Sequence, residues 1–139
     1  MSLDLSAAKG LPEPKLEALI EMMYLAASAD GEFSSEERAH FAKSVEALTD
    51  GAMNAAALDK LLARAKADLD ASDRTSRLHS VKERLPEADA RKVALGLAIQ
   101  VTAADGIIRT TERELIMETA EALEIDTGEA ADMVKSLAG

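Results

Sequence analysis

The sequence predicts an all-α protein, a compact bundle of about seven helices built from two pseudo-repeated helix-loop-helix units. Strong helix formers dominate the chain, whereas aromatic residues make up only 2% of it. Apolar residues recur at helical spacing, and one loop motif occurs twice. The length of 139 residues and the apolar content of 47% fit one folded domain. We expect a loose lead-in over residues 1–14 and a single helical domain over residues 15–139.

The first two helices are predicted from their apolar spacing and their end signals. A helix over 15–29 carries one apolar face and ends at Asp30 and Gly31, since glycine readily closes a last helical turn. Ser35 is a suitable N-cap for the second helix, and Gly51 ends it. The inner face of the second helix is formed by Phe41, Val45 and Leu48.

The middle of the chain holds three more predicted helices. Leucines over 58–69 mark the third, and a weaker fourth covers 72–84. Pro86 suits the first turn of the fifth, because a proline there loses no helical hydrogen bond. Residues 93–101 alternate as a strand would, but the segment is long and contains strong helix formers, so we predict a helix. A helix that is apolar on all sides would lie at the centre of the domain.

The last two helices follow the same rules. Asp105 and Gly106 end the fifth helix as the earlier Asp-Gly pair ends the first, and Thr110 caps the sixth. Asp126 and Glu129 have the spacing of a capping pair, which predicts the start of a seventh helix.

The repeated loop is the most informative feature of the sequence. Residues 30–38 read Asp-Gly-Glu-Phe-Ser-Ser-Glu-Glu-Arg, and residues 105–113 read Asp-Gly-Ile-Ile-Arg-Thr-Thr-Glu-Arg. Asp, Gly, a large apolar residue, Ser or Thr, Glu and Arg stand at equal positions, 75 residues apart. Because an apolar helix precedes each copy, we predict two helix-loop-helix units related by a pseudo-two-fold arrangement.

The spacing of this motif also matches the second half of a calcium-binding EF-hand loop. The ligand positions of the first half would fall on Ala26 and Ser28 in one copy, and on Val101 and Ala103 in the other. None of these residues carries a carboxylate. A standard EF-hand calcium site is therefore not expected in either copy.

A different metal site follows if the two hairpins pack face to face, because four carboxylates would then converge. Carboxylates without His or Cys favour the hard cations Mg²⁺, Ca²⁺ and Mn²⁺. Four such groups repel one another, and a bound cation would relieve that repulsion. The candidate metal ligands are Asp30, Glu37, Asp105 and Glu112.

The same residues also have a purely structural interpretation, which the residues alone favour. The Asp-Gly pairs close helices, and Phe33 and Ile108 would anchor the loops in the core. Ser35 and Thr110 would cap the following helices, whose first turns favour negative charge. The loops would then serve as helix ends and bind no ligand.

With both loops placed, the sequence resembles the TerB-like family, which is named for tellurite-resistance proteins. The matching stretches are residues 29–38 and the run 86–126, within a resemblance that spans about 15–137. The resemblance implies a compact helical bundle without established enzymatic activity, a link to tellurite and stress responses, and metal binding by acidic loops. Related domains also occur fused to other modules, including co-chaperones at the membrane. The acidic positions that it carries over are Asp30, Glu37, Asp105 and Glu112, with Glu32 and Glu36 nearby.

The second loop departs from the family pattern. Arg109, Thr110 and Thr111 stand where family members often carry acidic residues. Arg109 adds positive charge beside the proposed metal site. This favours an asymmetric site in which the first loop supplies most of the negative charge.

Several function classes are disfavoured by the residues. The chain has no cysteine, which excludes disulfides, thiolate zinc sites and cysteine nucleophiles. His40 and His79 lack partners at metal-ligand spacing and are expected at the surface. Neither a Ser-His-Asp set nor a glycine-rich phosphate loop can be nominated, so we predict no enzyme and no cofactor besides the divalent cation. Without a signal peptide or an apolar run near the ~20 residues of a membrane span, the protein is expected to be soluble and cytoplasmic.

The charge distribution bears on partners. The net charge of −10 works against nucleic-acid binding, which depends on neutralising phosphates. Residues 60–92 are an exception, with nine basic and six acidic side chains, and we expect them to form a solvated surface. A second hypothesis is a protein-interaction module with structural loops, whose partner and oligomeric state the sequence does not specify. Its contact surface for an acidic partner would include Arg74, Arg77, Lys82 and Arg84.

Overall fold

The computed structural model describes residues 12–27, 35–49, 51, 53–103 and 110–138. These residues form seven helices and no strand, which confirms the all-α prediction. No helix within these ranges is long and apolar enough to span a membrane. In chain order the helices are α1 (Glu13–Ala27), α2 (Ser35–Thr49), α3 (Ala55–Ala71), α4 (Arg74–Arg84), α5 (Ala88–Thr102), α6 (Thr110–Ala122) and α7 (Thr127–Ala138).

Helix α5 lies at the centre of the bundle, as its sequence predicts. It packs against α1, α2, α6 and α7, and every residue from Val93 to Ile99 is buried. Neighbours on all sides satisfy a helix that is apolar all round, so the strand-like alternation has no structural counterpart. The predicted start was wrong by two residues. Pro86 lies in the connection before α5, which begins at Ala88 after Glu87 at the N-cap.

Helix α1 is a second buried helix, which the sequence did not predict. Every residue over 18–26 is buried, and α1 packs against α5, α4, α3 and α6. The apolar residues at helical spacing predict only one apolar face for this helix. The structure buries Glu21 with the rest of the helix, at 5% exposure. Helix α1 also begins at Glu13, inside the predicted lead-in.

Helices α2 and α6 bury corresponding faces. Both begin at the predicted cap residues, and their first residues are 75 positions apart. The first residues of α1 and α5 are also 75 positions apart, and so are their last residues. The helix boundaries thus follow the spacing of the repeated motif, while the two-fold relation between the hairpins stays a prediction. The inner residues also correspond, with Phe41, Val45 and Leu48 buried in the first unit and Ile116, Ala120 and Leu123 buried in the second.

The end of α6 is closed by a left-handed residue. Glu124 has a φ of 58° and donates its amide to the Glu121 carbonyl at 3.1 Å. The next amide, of Ile125, donates to the Ala120 carbonyl at 2.8 Å. This pair of hydrogen bonds is a Schellman motif, and it satisfies two carbonyls that the helix end would otherwise leave without donors.

The predicted capping pair before α7 is only half formed. The Asp126 carboxylate accepts a hydrogen bond from the Gly128 amide at 2.7 Å, as an N-cap residue should. Glu129 does not complete the pair in the predicted way, because its carboxylate lies 2.9 Å from the Lys92 ammonium. A charged partner on α5 thus takes the place of the local backbone amide.

Candidate metal centre

The beginnings of α1 and α5 lie close together. Lys15 in the first turn of α1 donates to the Glu87 carboxylate, at the N-cap of α5, over 2.7 Å. The two helices also share the most extensive helix–helix contact in the described part of the chain. Two helices that begin together and stay in contact run in the same direction.

The hydrogen bonds that Arg91 and Arg74 make with residues in or next to α6 support the parallel course of α1 and α5. Arg91 in the first turn of α5 donates to the Leu123 carbonyl just after α6 over 3.0 Å, so α6 runs back along α5. Arg74 joins the Leu25 carbonyl near the end of α1 to Leu115, in the first half of α6. The C-terminal ends of α1 and α5, from which the two Asp-Gly loops continue, therefore lie at the same end of the bundle.

Two of the four predicted metal ligands lie in the described part of the chain, in the first turns of α2 and α6. Asp30 and Asp105 lie outside the described residues, as do Phe33 and Ile108, so their predicted roles stay predictions. Glu37 is half-buried in the first turn of α2, and Glu112 is 4% exposed in the first turn of α6. Among the described residues, which do not include the two aspartates, no three His, Asp or Glu side chains form a metal-binding group.

The helix ends exclude the first half of an EF-hand loop, as predicted. Ala26 and Val101 would hold its first ligand position, yet both are buried at 1% or less and lie inside α1 and α5. An EF-hand loop has already left its helix at that position, where a side-chain oxygen meets the calcium ion. Any cation here would use a different coordination.

Comparison with known proteins identifies the family. A family model described as tellurite resistance protein TerB matches residues 16–135, which is most of the chain. This chain belongs to the TerB family. No curated protein and no solved structure matches it. The resemblance inferred from the two Asp-Gly loops is thereby confirmed. The match also covers α3 and α4, in which no motif was recognised.

The TerB domain contains a buried acid–base network that the sequence did not predict. Arg77 binds Glu21 through two parallel hydrogen bonds, Nε to Oε2 at 2.7 Å and Nη2 to Oε1 at 2.9 Å. Arg84 donates a third bond to Oε1 at 2.5 Å. Burial by itself would raise the pKa of Glu21, but the hydrogen bonds and charges of the two arginines outweigh it and hold that pKa below its ordinary value. The only sequence signal was an acidic residue within an apolar helix.

The interpretation of the positive stretch as a solvated surface is correct only in part: Lys60, Arg64 and Lys66 are exposed, whereas the cations of α4 are engaged within the domain. Arg77 and Arg84 bind Glu21, and Lys82 lies 2.6 Å from the Glu124 carboxylate. Arg74 is mostly buried and donates to backbone carbonyls. The four cations proposed for an acidic partner are thus engaged within the domain, because α4 packs against α1 and α6 instead of projecting into solvent.

A cleft of about 310 Å³ lies beside the same network, between α1, α3 and α4. Its wall includes Arg64, which donates to the Glu17 carboxylate. Each arginine that lines the cleft therefore has a carboxylate partner, and the charges are balanced. Such a wall offers no excess charge that would select an ionic ligand.

The two histidines differ in environment. His79 is exposed, as predicted, and its Nε2 lies 2.9 Å from the Glu83 carboxylate one helical turn away. His40 is half-buried on α2, so its predicted place at the surface is only partly correct.

Proposed function

We propose that this chain is a non-catalytic TerB-family domain of tellurite and stress responses that binds one divalent cation between its two Asp-Gly loops. The ligands are the carboxylates of Asp30, Glu37, Asp105 and Glu112, and the ion is Mg²⁺, Ca²⁺ or Mn²⁺. The family membership supports the relation to tellurite resistance. The metal site rests on the arrangement of the helices that flank the loops.

The observation that supports the metal site most is that the C-terminal ends of α1 and α5 lie at the same end of the bundle. Two loops that begin at opposite ends could not share an ion, since each helix of 15 residues is about 22 Å long. Loops that begin side by side bring their carboxylates within reach of one ion. The contact between Lys15 and Glu87 fixes this arrangement at one end, and the contacts of Arg74 fix it at the other.

The chemistry of the donors selects the kind of ion. All four ligands offer carboxylate oxygens, which hard cations prefer, and the chain has no cysteine that could attract a softer metal. Glu112 is held at 4% exposure, where a carboxylate gains most from a nearby positive charge. Arg109 in the second loop reduces the negative charge on that side, so the first loop contributes most of the affinity.

Thermal unfolding with and without Mg²⁺, Ca²⁺ and Mn²⁺ tests this proposal directly. At about 100 times its dissociation constant, an ion that binds only the folded state adds about 2.7 kcal/mol to the free energy of unfolding. For a domain of this size the midpoint should rise by roughly 10 °C. We expect such a rise with one of these ions, and we expect Asp30→Asn and Asp105→Asn each to abolish it.

Asp70→Asn is the matched control, because Asp70 is an exposed aspartate on α3 whose partner is Lys66. This variant should keep the full rise in midpoint. The proposal is wrong if none of the three ions changes the midpoint of the wild-type protein. It is also wrong if Asp70→Asn removes the rise as completely as the loop variants do, since the ions would then act through surface charge in general.

A further inference from the structure

Arg74 connects the two hairpins near the end of the bundle that carries the loops. It is the first residue of α4, and its guanidinium reaches both α1 and α6. One nitrogen, Nη1, donates to the Leu25 carbonyl of α1. The other, Nη2, donates to the Thr119 hydroxyl and lies 3.4 Å from the Leu115 carbonyl of α6. The Thr119 hydroxyl itself donates to the Leu115 carbonyl over 2.8 Å, so the guanidinium, the hydroxyl and this carbonyl form one hydrogen-bonded group on α6.

The contact on α1 is close to the first loop. Leu25 lies two positions before Ala27, the last residue of α1. Its carbonyl is one of the last four of the helix, which have no amide donor within the helix. Arg74 supplies a donor at that point. The guanidinium thereby fixes the last turn of α1, from which the first loop continues.

The contact on α6 is tied to the second loop. Helix α6 begins at Thr110, directly after that loop, and Leu115 lies in its second turn. A side chain that holds the end of α1 against this part of α6 sets the distance between the two loop attachment points. Helix α4, which carries Arg74, belongs to neither of the two repeated units.

We propose that Arg74 is a positioning residue that holds the loop-bearing ends of the two hairpins in register, so that their carboxylates can share one cation. The second part of this inference rests on the function proposed above. Arg74 does not touch the ion. It acts through the backbone of α1 and the side chain and backbone of α6.

The chemistry requires arginine at this position. A guanidinium has donors on two separate nitrogens in a rigid plane, so it can bond two helices at once. A lysine ammonium is a single point at the end of a flexible chain, and it would satisfy one helix or the other. Arg74→Lys therefore keeps the positive charge while it breaks the connection.

Arg91 provides a matched control at the opposite end of the bundle. Arg91 is buried where Arg74 is half-buried, and it donates to three backbone carbonyls: those of Lys82 at 2.7 Å, Leu85 at 2.6 Å and Leu123 at 3.0 Å. These carbonyls lie in the last turn of α4 or just after the ends of α4 and α6, away from the loops. Arg91→Lys should therefore destabilise the fold in a similar way without changing the distance between the loops.

The test is a calorimetric titration of the full chain with Mg²⁺, Ca²⁺ and Mn²⁺ in separate experiments, well below the midpoint of unfolding of each variant. We expect Arg74→Lys to bind the preferred ion about ten-fold more weakly or worse, as losses of groups that orient metal ligands usually do. Arg91→Lys should bind it as the wild type does. A role of Arg74 in stability alone would lower the midpoint of both variants and leave both affinities unchanged.

Amide hydrogen exchange in the absence of added metal gives a second readout. We expect Arg74→Lys to accelerate exchange at the end of α1 and in the first half of α6 together, and Arg91→Lys to accelerate it at the ends of α4 and α6. If the wild type binds no ion but this pattern is found, the proposed function fails while the coupling of the hairpins stands. Unchanged affinity in Arg74→Lys, or exchange that increases in only one hairpin, would overturn the inference about Arg74.

Discussion

Buried charge at single residues distinguishes this domain from an ordinary helical bundle. Glu21 carries a full charge inside α1, and Arg74 and Arg91 each bring a guanidinium among helix ends. An isolated ion is costly to bury, so each of these groups has several partners of opposite charge or partial charge. Burial lowers the pKa of Arg74, and the charge of Glu118 offsets part of that effect.

The Glu21 network should make stability depend on pH. Because the pKa of Glu21 is lowered in the folded state, protonation is harder there than in the unfolded chain, whose carboxylate has the ordinary value of 4.5. The stabilisation is therefore fully present above that value and is lost as the pH falls through the lower folded pKa. We expect Glu21→Gln to cost about 1–3 kcal/mol at pH 7 in urea unfolding, since it leaves two arginines without their carboxylate.

The pH profile separates this effect from simple loss of packing. The difference in unfolding free energy between wild type and Glu21→Gln should shrink steadily below pH 4.5. Glu83→Gln removes the exposed partner of His79 and should have little effect at any pH. If the difference in unfolding free energy between wild type and Glu21→Gln stays constant from pH 7 to well below pH 4.5, the ion pairs of Glu21 are not its cause.

Sequence reasoning named Arg74, Arg77 and Arg84 only as a contact surface for an acidic partner, and it could not find the partners that they have within the domain. Arg77 lies 56 positions from Glu21, and Arg74 lies 49 positions from Leu25. No local pattern links residues at such separations, and an arginine within a mixed-charge stretch looks like a solvated side chain. Only the packing of α4 against α1 shows that these cations face inward.

Helices, in contrast, were predicted well because their signals are local. Caps and closing residues act within a few positions, as with Asn54, which accepts from the Ala57 amide at 2.8 Å and begins α3. Two errors concern the starts of α7 and α5. Glu129 pairs with Lys92 instead of capping its own helix, and Pro86 belongs to a connection instead of a first turn.

The end of α6 offers a stabilising change at the level of a single element. Glu124 holds a left-handed conformation that glycine adopts without steric cost. Glu124→Gly should raise the midpoint of thermal unfolding by roughly 2–4 °C, even though it removes the surface ion pair with Lys82. Calorimetry of the two proteins side by side measures this shift.

The opposite change at the end of α2 is the matched control. Gly51 has a φ of 81°, and an added Cβ would meet no atom within 4 Å. The cost of Gly51→Ala is therefore one of backbone conformation, and it should destabilise the domain by about 1 kcal/mol. If both variants unfold at the midpoint of the wild-type protein, the left-handed conformation carries no steric cost at either position, and the prediction is wrong.

The whole molecule is organised around two buried helices in contact, α1 and α5. The sequence predicted the second of them as apolar on all sides, and it predicted only one apolar face for the first. The face-to-face hairpins were predicted from the repeated loop, and the helix ends agree with loops at one end of the bundle. The proposed convergence of the loop carboxylates would depend on side-chain positions that no sequence pattern specifies.

This organisation predicts that the bundle unfolds as one unit. Leu95 on α5 is fully buried, and Leu95→Ala should cost about 2–5 kcal/mol while unfolding in urea stays a single transition. Leu61 on α3 is only partly buried, so Leu61→Ala should cost distinctly less. Separate transitions for the α2 and α6 regions would mean that the two hairpins fold independently.

The buried position of Tyr24 has a practical consequence for spectroscopy. The chain has one tyrosine and no tryptophan, so all of its fluorescence above 300 nm comes from this side chain. Tyr24 is 8% exposed and is the immediate neighbour of Leu25, whose carbonyl receives the hydrogen bond from Arg74. The unmodified protein thus carries a single optical reporter beside the junction of its two hairpins, and its emission can test the proposed ion binding without a label.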